Sequence, residues 1–115
     1  MKVIKNTDAL KGKNSDNCEV TEYSFGDKDI DIGIAKITGR YPKDGYYCVN
    51  TISKELIYVI EGSGKIYFEK SEVTFNKGDS ILIDSNEKYY WESEYCLVSM
   101  SCTPAWDIKQ YKEIK

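Results

Sequence analysis

Short runs of alternating or β-branched apolar residues recur along this chain about every eight to twelve residues, each closed by Gly, Asn, Asp or Ser. That rhythm leaves little room for helices and restricts the chain to an all-β sandwich or barrel. The clearest run is Glu55-Leu56-Ile57-Tyr58-Val59-Ile60-Glu61. Gly62-Ser63-Gly64 follows, where positive φ costs little, and then Lys65-Ile66-Tyr67-Phe68-Glu69. The expected unit is a hairpin around the glycine turn. Glu55 is its odd member, a carboxylate where a strand enters a core. Burying a carboxylate is costly unless it is hydrogen-bonded, paired or metal-bound, which makes Glu55 a candidate site residue. A solvated strand end is the alternative.

At 115 residues the chain is long enough for one domain with a modest core. Residues 1–17 are polar apart from Val3, Ile4 and Leu10, and are expected to form an irregular arm. Strands are expected over 18–25, 30–38, 46–51, 71–75 and 80–83, then over 88–92 and 94–102 as two separate elements. In the second of these, Ile30, Ile32 and Ile34 alternate with Asp31, Gly33, Ala35 and Ile37. The barrel would thus occupy about 18–103 and a tail 104–115. Residues 107–114 suit a short helix or a last strand equally.

The formal charge of −3 argues against nucleic acid as a partner. No apolar run is long enough to span a membrane, and no secretory segment follows Met1, so a cytoplasmic protein is expected. The chain has no histidine. Imidazole acid–base catalysis, Ser-His triads and imidazole metal sites are therefore excluded. Cys18, Cys48, Cys96 and Cys102 lack CxxC spacing and are expected to be reduced.

The segment from Glu55 to Gly62 resembles the end of the first motif of small single-domain cupins, a Glu, six residues and a Gly. The second cupin motif, G-x5-P-x-G-x2-H-x3-N, is matched at Gly78. Asp84 stands at its proline place, Asn86 at its second glycine, Tyr89 at its histidine and Ser93 at its asparagine. Thr103-Pro104-Ala105-Trp106 is similar to the tail that follows many such barrels. The resemblance covers about residues 30–106 and implies a double-stranded β-helix, or jelly-roll, barrel. Cupin metal sites use an H-x-H pair, the Glu and a later His. Here the pair falls on Cys48 and Asn50 (or Val49 and Thr51), and the later place on Tyr89. Only Glu55 survives, so no cofactor is expected.

The resemblance puts Tyr89 inside the barrel, and period two then puts Trp91 there too, with Tyr90 outside. Cys48, Asn50, Glu55, Tyr58, Tyr89 and Trp91 are the expected ligand-binding residues, around a pocket for a sugar or an organic acid. Arg40, the only arginine, is a candidate clamp for a carboxylate or phosphate. A metal-independent binding module is the favoured function. The alternative is a metal-free carbohydrate isomerase or epimerase with Glu55 and Tyr89 transferring protons. A plugged barrel with only a structural role is the third. A homodimer is expected, because small cupins pair and open sheet edges invite partners.

Overall fold

Nine strands form one curled antiparallel sheet in the computed structural model, which describes all 115 residues. They are β1 (Leu10–Ser15), β2 (Cys18–Tyr23), β3 (Asp31–Tyr41), β4 (Tyr47–Asn50), β5 (Lys54–Phe68), β6 (Glu72–Asn76), β7 (Ser80–Ile83), β8 (Lys88–Thr103) and β9 (Tyr111–Ile114). The frame is the ladder between the two long strands, β5 and β8, which runs from Lys54–Thr103 to Phe68–Tyr89. Along its other edge β8 pairs with β3, then with β4. Along its own other edge β5 pairs first with β7 and then with β6.

The expected hairpin at Gly62-Ser63-Gly64 is not there. Residues 54–68 are one strand, and both halves pair with the same partner, β8. The glycines serve a bend instead. Gly62 has φ +84°, and the register slips between Val59 and Glu61 and again between Ser63 and Lys65. Such bulges turn a strand sharply without ending it. A Cβ on Gly64 would sit 2.7 Å from both the Glu92 carbonyl and Ser93 Cβ, so the close approach to β8 requires glycine. The same bend absorbs Ser93, whose hydroxyl donates to the Ser63 carbonyl. Residues 88–92 and 94–102 are therefore one strand and not two.

The ends of the chain also differ from expectation. Residues 10–15 of the supposed arm form β1, which pairs with β2. Its side chains are almost all exposed, so the backbone ladder holds it and no apolar pattern betrays it. The tail holds both forms left open, a 3-10 turn (Ile108–Gln110) and strand β9, which pairs with β4. Gln110 pins the turn. Its Oε1 accepts from the Ile52 and Ser53 amides, and its Nε2 donates to Ser53 Oγ.

Residues paired across antiparallel strands share a face, so the register sorts the side chains. Ala35, Val98 and Val59 form one inward row, and Phe75, Ile57 and Ile66 are fully enclosed near it. Facing outward, Ile32, Ser101, Leu56 and Leu82 make one row, and Ile34, Ser99, Tyr58 and Ser80 the next. No helix is long and apolar enough to cross a membrane.

Candidate functional site

One end of the barrel holds a cavity of about 150 Å³ with a largely apolar lining. Its polar floor follows from register. Cys102 on β8 pairs with Asp31 on β3 and with Glu55 on β5, so the three lie in one inward row. Strands lie about 4.8 Å apart, which sets the two carboxylate backbones roughly 10 Å apart, with a thiol between them.

Glu55 is 6 % exposed. Its Oε2 accepts from Asn50 Nδ2 at 3.1 Å, and Cys102 Sγ stands 3.9 Å away. The orientation of Asn50 is fixed from its other side, where Trp106 Nε1 donates to Asn50 Oδ1 at 2.9 Å. Indole N–H is a donor only, so it claims the amide oxygen and leaves the amide nitrogen for Glu55. Burial raises the Glu55 carboxyl to about 7 and the nearby Asp31 adds to this, while the hydrogen bond from Asn50 and the Tyr89 hydroxyl oppose it. Asp31 is itself raised, chiefly by desolvation, against a 3.1 Å hydrogen bond from the Trp106 amide.

Aromatic rings form much of the wall. Tyr89 and Trp91 are 3 % and 2 % exposed and line the cavity from β8. Tyr89 Oη lies 3.5 Å from Asn50 Nδ2, and burial holds its phenol protonated. Tyr41 and Tyr111 share a 2.6 Å hydroxyl–hydroxyl hydrogen bond, and the Trp106 and Tyr111 rings meet at a tilt with centroids 5.9 Å apart.

The six expected binding residues therefore divide. Asn50, Glu55, Tyr89 and Trp91 converge on the cavity. Cys48 is buried but lies outside the lining, its thiol donating to the Tyr89 carbonyl at 3.2 Å and pushed up by burial. Tyr58 lies on the other side of the sheet, half exposed, because it stands three positions from the inward Glu55. Arg40 is also outside. Its guanidinium stacks 3.6 Å over the Tyr90 ring, which in turn stacks on Tyr67, and its Nη2 donates to the Tyr46 carbonyl. Asp31, Trp106, Tyr41, Tyr111 and Cys102 were missed. Two of them left a signal: Asp31 is a carboxylate at the same parity as Ala35 and Ile37, and Cys102 shares an inward period-two face with Cys96 and Val98.

No family model and no curated protein matches the chain. Solved structures do. Over all of this chain and 92 % of its own, Pac13, a nucleoside dehydratase, superposes with a TM-score of 0.85 at 16 % identity. Variants of Streptomyces Pac13 solved with uridine superpose similarly, one at a TM-score of 0.84 and 17 % identity over 100 % and 93 % of the two chains. An RmlC-like cupin from Shewanella frigidimarina superposes with a TM-score of 0.74 at 10 % identity, over 92 % and 93 % of the two chains. The barrel is a cupin fold.

Residues at the cupin metal positions do not fit a metal. Cys48 lies outside the cavity lining with its thiol on the Tyr89 carbonyl, and Asn50 is committed to Glu55 and Trp106. No group of three or more Cys, Asp or Glu side chains is placed to hold a metal ion. The cavity wall offers carboxyl, amide, phenol and thiol groups and aromatic faces.

Proposed function

We propose that this cupin barrel binds a small polar organic molecule in its cavity without a metal, with Glu55, Asn50 and Tyr89 as the polar contacts. The observation that carries the reading is Glu55 itself. It is enclosed at the cavity floor beside Asn50, the Cys102 thiol and the Tyr89 hydroxyl, and no Lys or Arg lines the cavity to pair with it. A core carboxylate kept for stability alone would be paired with a cation. Ligand hydroxyl or N–H groups can donate to this carboxyl, and tyrosine and tryptophan faces suit ring-shaped molecules such as sugars and nucleosides. Pac13, solved with uridine, lends support to that size of ligand. An organic acid fits poorly, because the charged residues lining the cavity are Glu22, Asp31 and Glu55. Calorimetric titration with sugars, amino sugars and nucleosides is expected to find a ligand whose affinity falls at least tenfold in Glu55→Gln. Retention of full affinity in that variant refutes the site.

One observation favours a second reading. A carboxyl at about 7 exchanges protons readily at neutral pH, which suits Glu55 to general acid–base work on a bound carbohydrate, with Tyr89 as its partner. Loss of turnover with binding retained in Glu55→Gln distinguishes an enzyme from a binder.

We also propose that the chain forms a homodimer through the outward face of β3, β5, β7 and β8. Leu56, Tyr58 and Leu82 are each at least half exposed there, over small serines that let a second sheet approach. The ion pairs Glu19–Lys36 and Lys54–Asp84 carry both signs of charge, which a two-fold interface requires to complement itself. Tyr58→Glu should sediment as a monomer if the native chain sediments as a dimer.

A further inference from the structure

We infer that the group held against Glu55 is a cation, namely the ammonium of a small organic amine. The inference rests on the cavity being a binding site, as proposed. Three acidic residues line the cavity and no Lys or Arg does. The chain makes five ion pairs, and none of them uses Glu22, Asp31 or Glu55. Glu55 and Asp31 share one inward row, and each faces the cavity without a cation of the chain beside it. Asn50 donates to Glu55 Oε2 and the Trp106 amide to Asp31 Oδ2, both neutral donors that leave the negative charges uncompensated. Two carboxylates facing one small cavity repel each other, and a positive charge between them removes that repulsion.

The wall selects the kind of cation. A divalent metal needs several hard donors around it, and only two carboxylates converge here. An ammonium group needs fewer, and gains further attraction from the faces of Tyr89, Trp91, Trp106 and Tyr111. Trp106 contributes twice, as part of the aromatic wall and as the residue that orients Asn50 and Asp31 through its indole and backbone N–H groups.

The test compares matched probes on the purified full-length chain by calorimetry and ligand-observed NMR. Choline is set against dimethylbutanol, its neutral carbon isostere, and propylamine against propanol, with uridine as a neutral nucleoside. In at least one pair the cation is expected to bind ten times more tightly than its neutral partner. Asp31→Asn, which keeps an acceptor for the Trp106 amide, should reduce that preference at least threefold. If the neutral partners or uridine bind as tightly as the cations, the inference fails and the binding reading stands. If no probe binds at millimolar concentration, the inference and the binding reading both fail.

Discussion

Replacing Glu55 by Gln should make the protein more stable at neutral pH and leave it unchanged in acid. Burial raises this carboxyl from its ordinary 4.5 to about 7, so the folded state holds its proton more tightly than the unfolded chain. Below about pH 4.5 the group is protonated in both states and contributes nothing to the pH dependence. Between about 4.5 and 7 the unfolded chain ionises first, and each pH unit costs the folded state about 1.4 kcal/mol. Above about 7 the loss levels off near 3 kcal/mol. Glutamine matches the protonated carboxyl in shape, still accepts from Asn50 Nδ2 and cannot ionise. Urea midpoints for both proteins, taken every half unit from about pH 4 to about pH 8.5, give the difference directly and cancel the other titrating groups. The expected curve starts near zero, rises through the acid range and flattens at about 3 kcal/mol in favour of the variant. A gap that stays constant across the range would show that Glu55 titrates as an ordinary carboxylate, and the account of the site would fail with it.

The bend of β5 makes a second prediction. Gly62→Ala places a Cβ against the Tyr95 carbonyl at φ +84° and should cost about 2–5 kcal/mol in chemical denaturation. Gly12→Ala in β1 meets nothing within 4 Å and should change stability by less than about 0.5 kcal/mol; similar losses in the two would refute the bend. All four cysteines are buried with their thiols pushed up by desolvation, Cys18 to about 12. A thiol reagent at pH 8 should therefore label none in the native protein and all four after unfolding. Labelling of Cys48 in the folded state would contradict its placement. Asn50→Ala removes a hydrogen bond that favours the Glu55 anion, so the Glu55 carboxyl should move above 7 in a carbon-detected NMR titration. A stability loss of about 1–3 kcal/mol is expected alongside, since Trp106 Nε1 loses its acceptor. An unmoved titration would exclude Asn50 from the control of Glu55.

The features that could be read beforehand are those that depend on parity within one strand. Period two separates Tyr89 and Trp91 from Tyr90, and it puts Asp31 on the face of Ala35 and Ile37. The same rule, applied from Glu55, sends Tyr58 outward, so its inclusion in the pocket was an error of parity. Glu55 stood out because its chemistry conflicts with its surroundings. Asn86 kept the cupin glycine place for a physical reason, since it takes φ +68° there and asparagine tolerates that conformation. What could not be read depends on which strand meets which. Gly62-Ser63-Gly64 looks alike in a hairpin and in a bulged strand, and only the shared partner β8 separates the two. The joining of Asp31 to Glu55 through Cys102, and of Trp106 to Asn50, spans most of the chain and leaves no local trace.

The β5–β8 ladder also imposes an order on assembly. Phe68 and Tyr89 enclose the shortest loop of the ladder, and Lys54 and Thr103 the longest. Closing a short loop loses less chain entropy than closing a long one, and each pair formed shortens the loop left for the next. The barrel therefore zips from its Tyr89 end toward Glu55, and the inward row of Asp31, Cys102 and Glu55 is among the last to close. Fraying runs the other way. The Glu55 side of the cavity wall therefore yields before the side built from Tyr89 and Trp91.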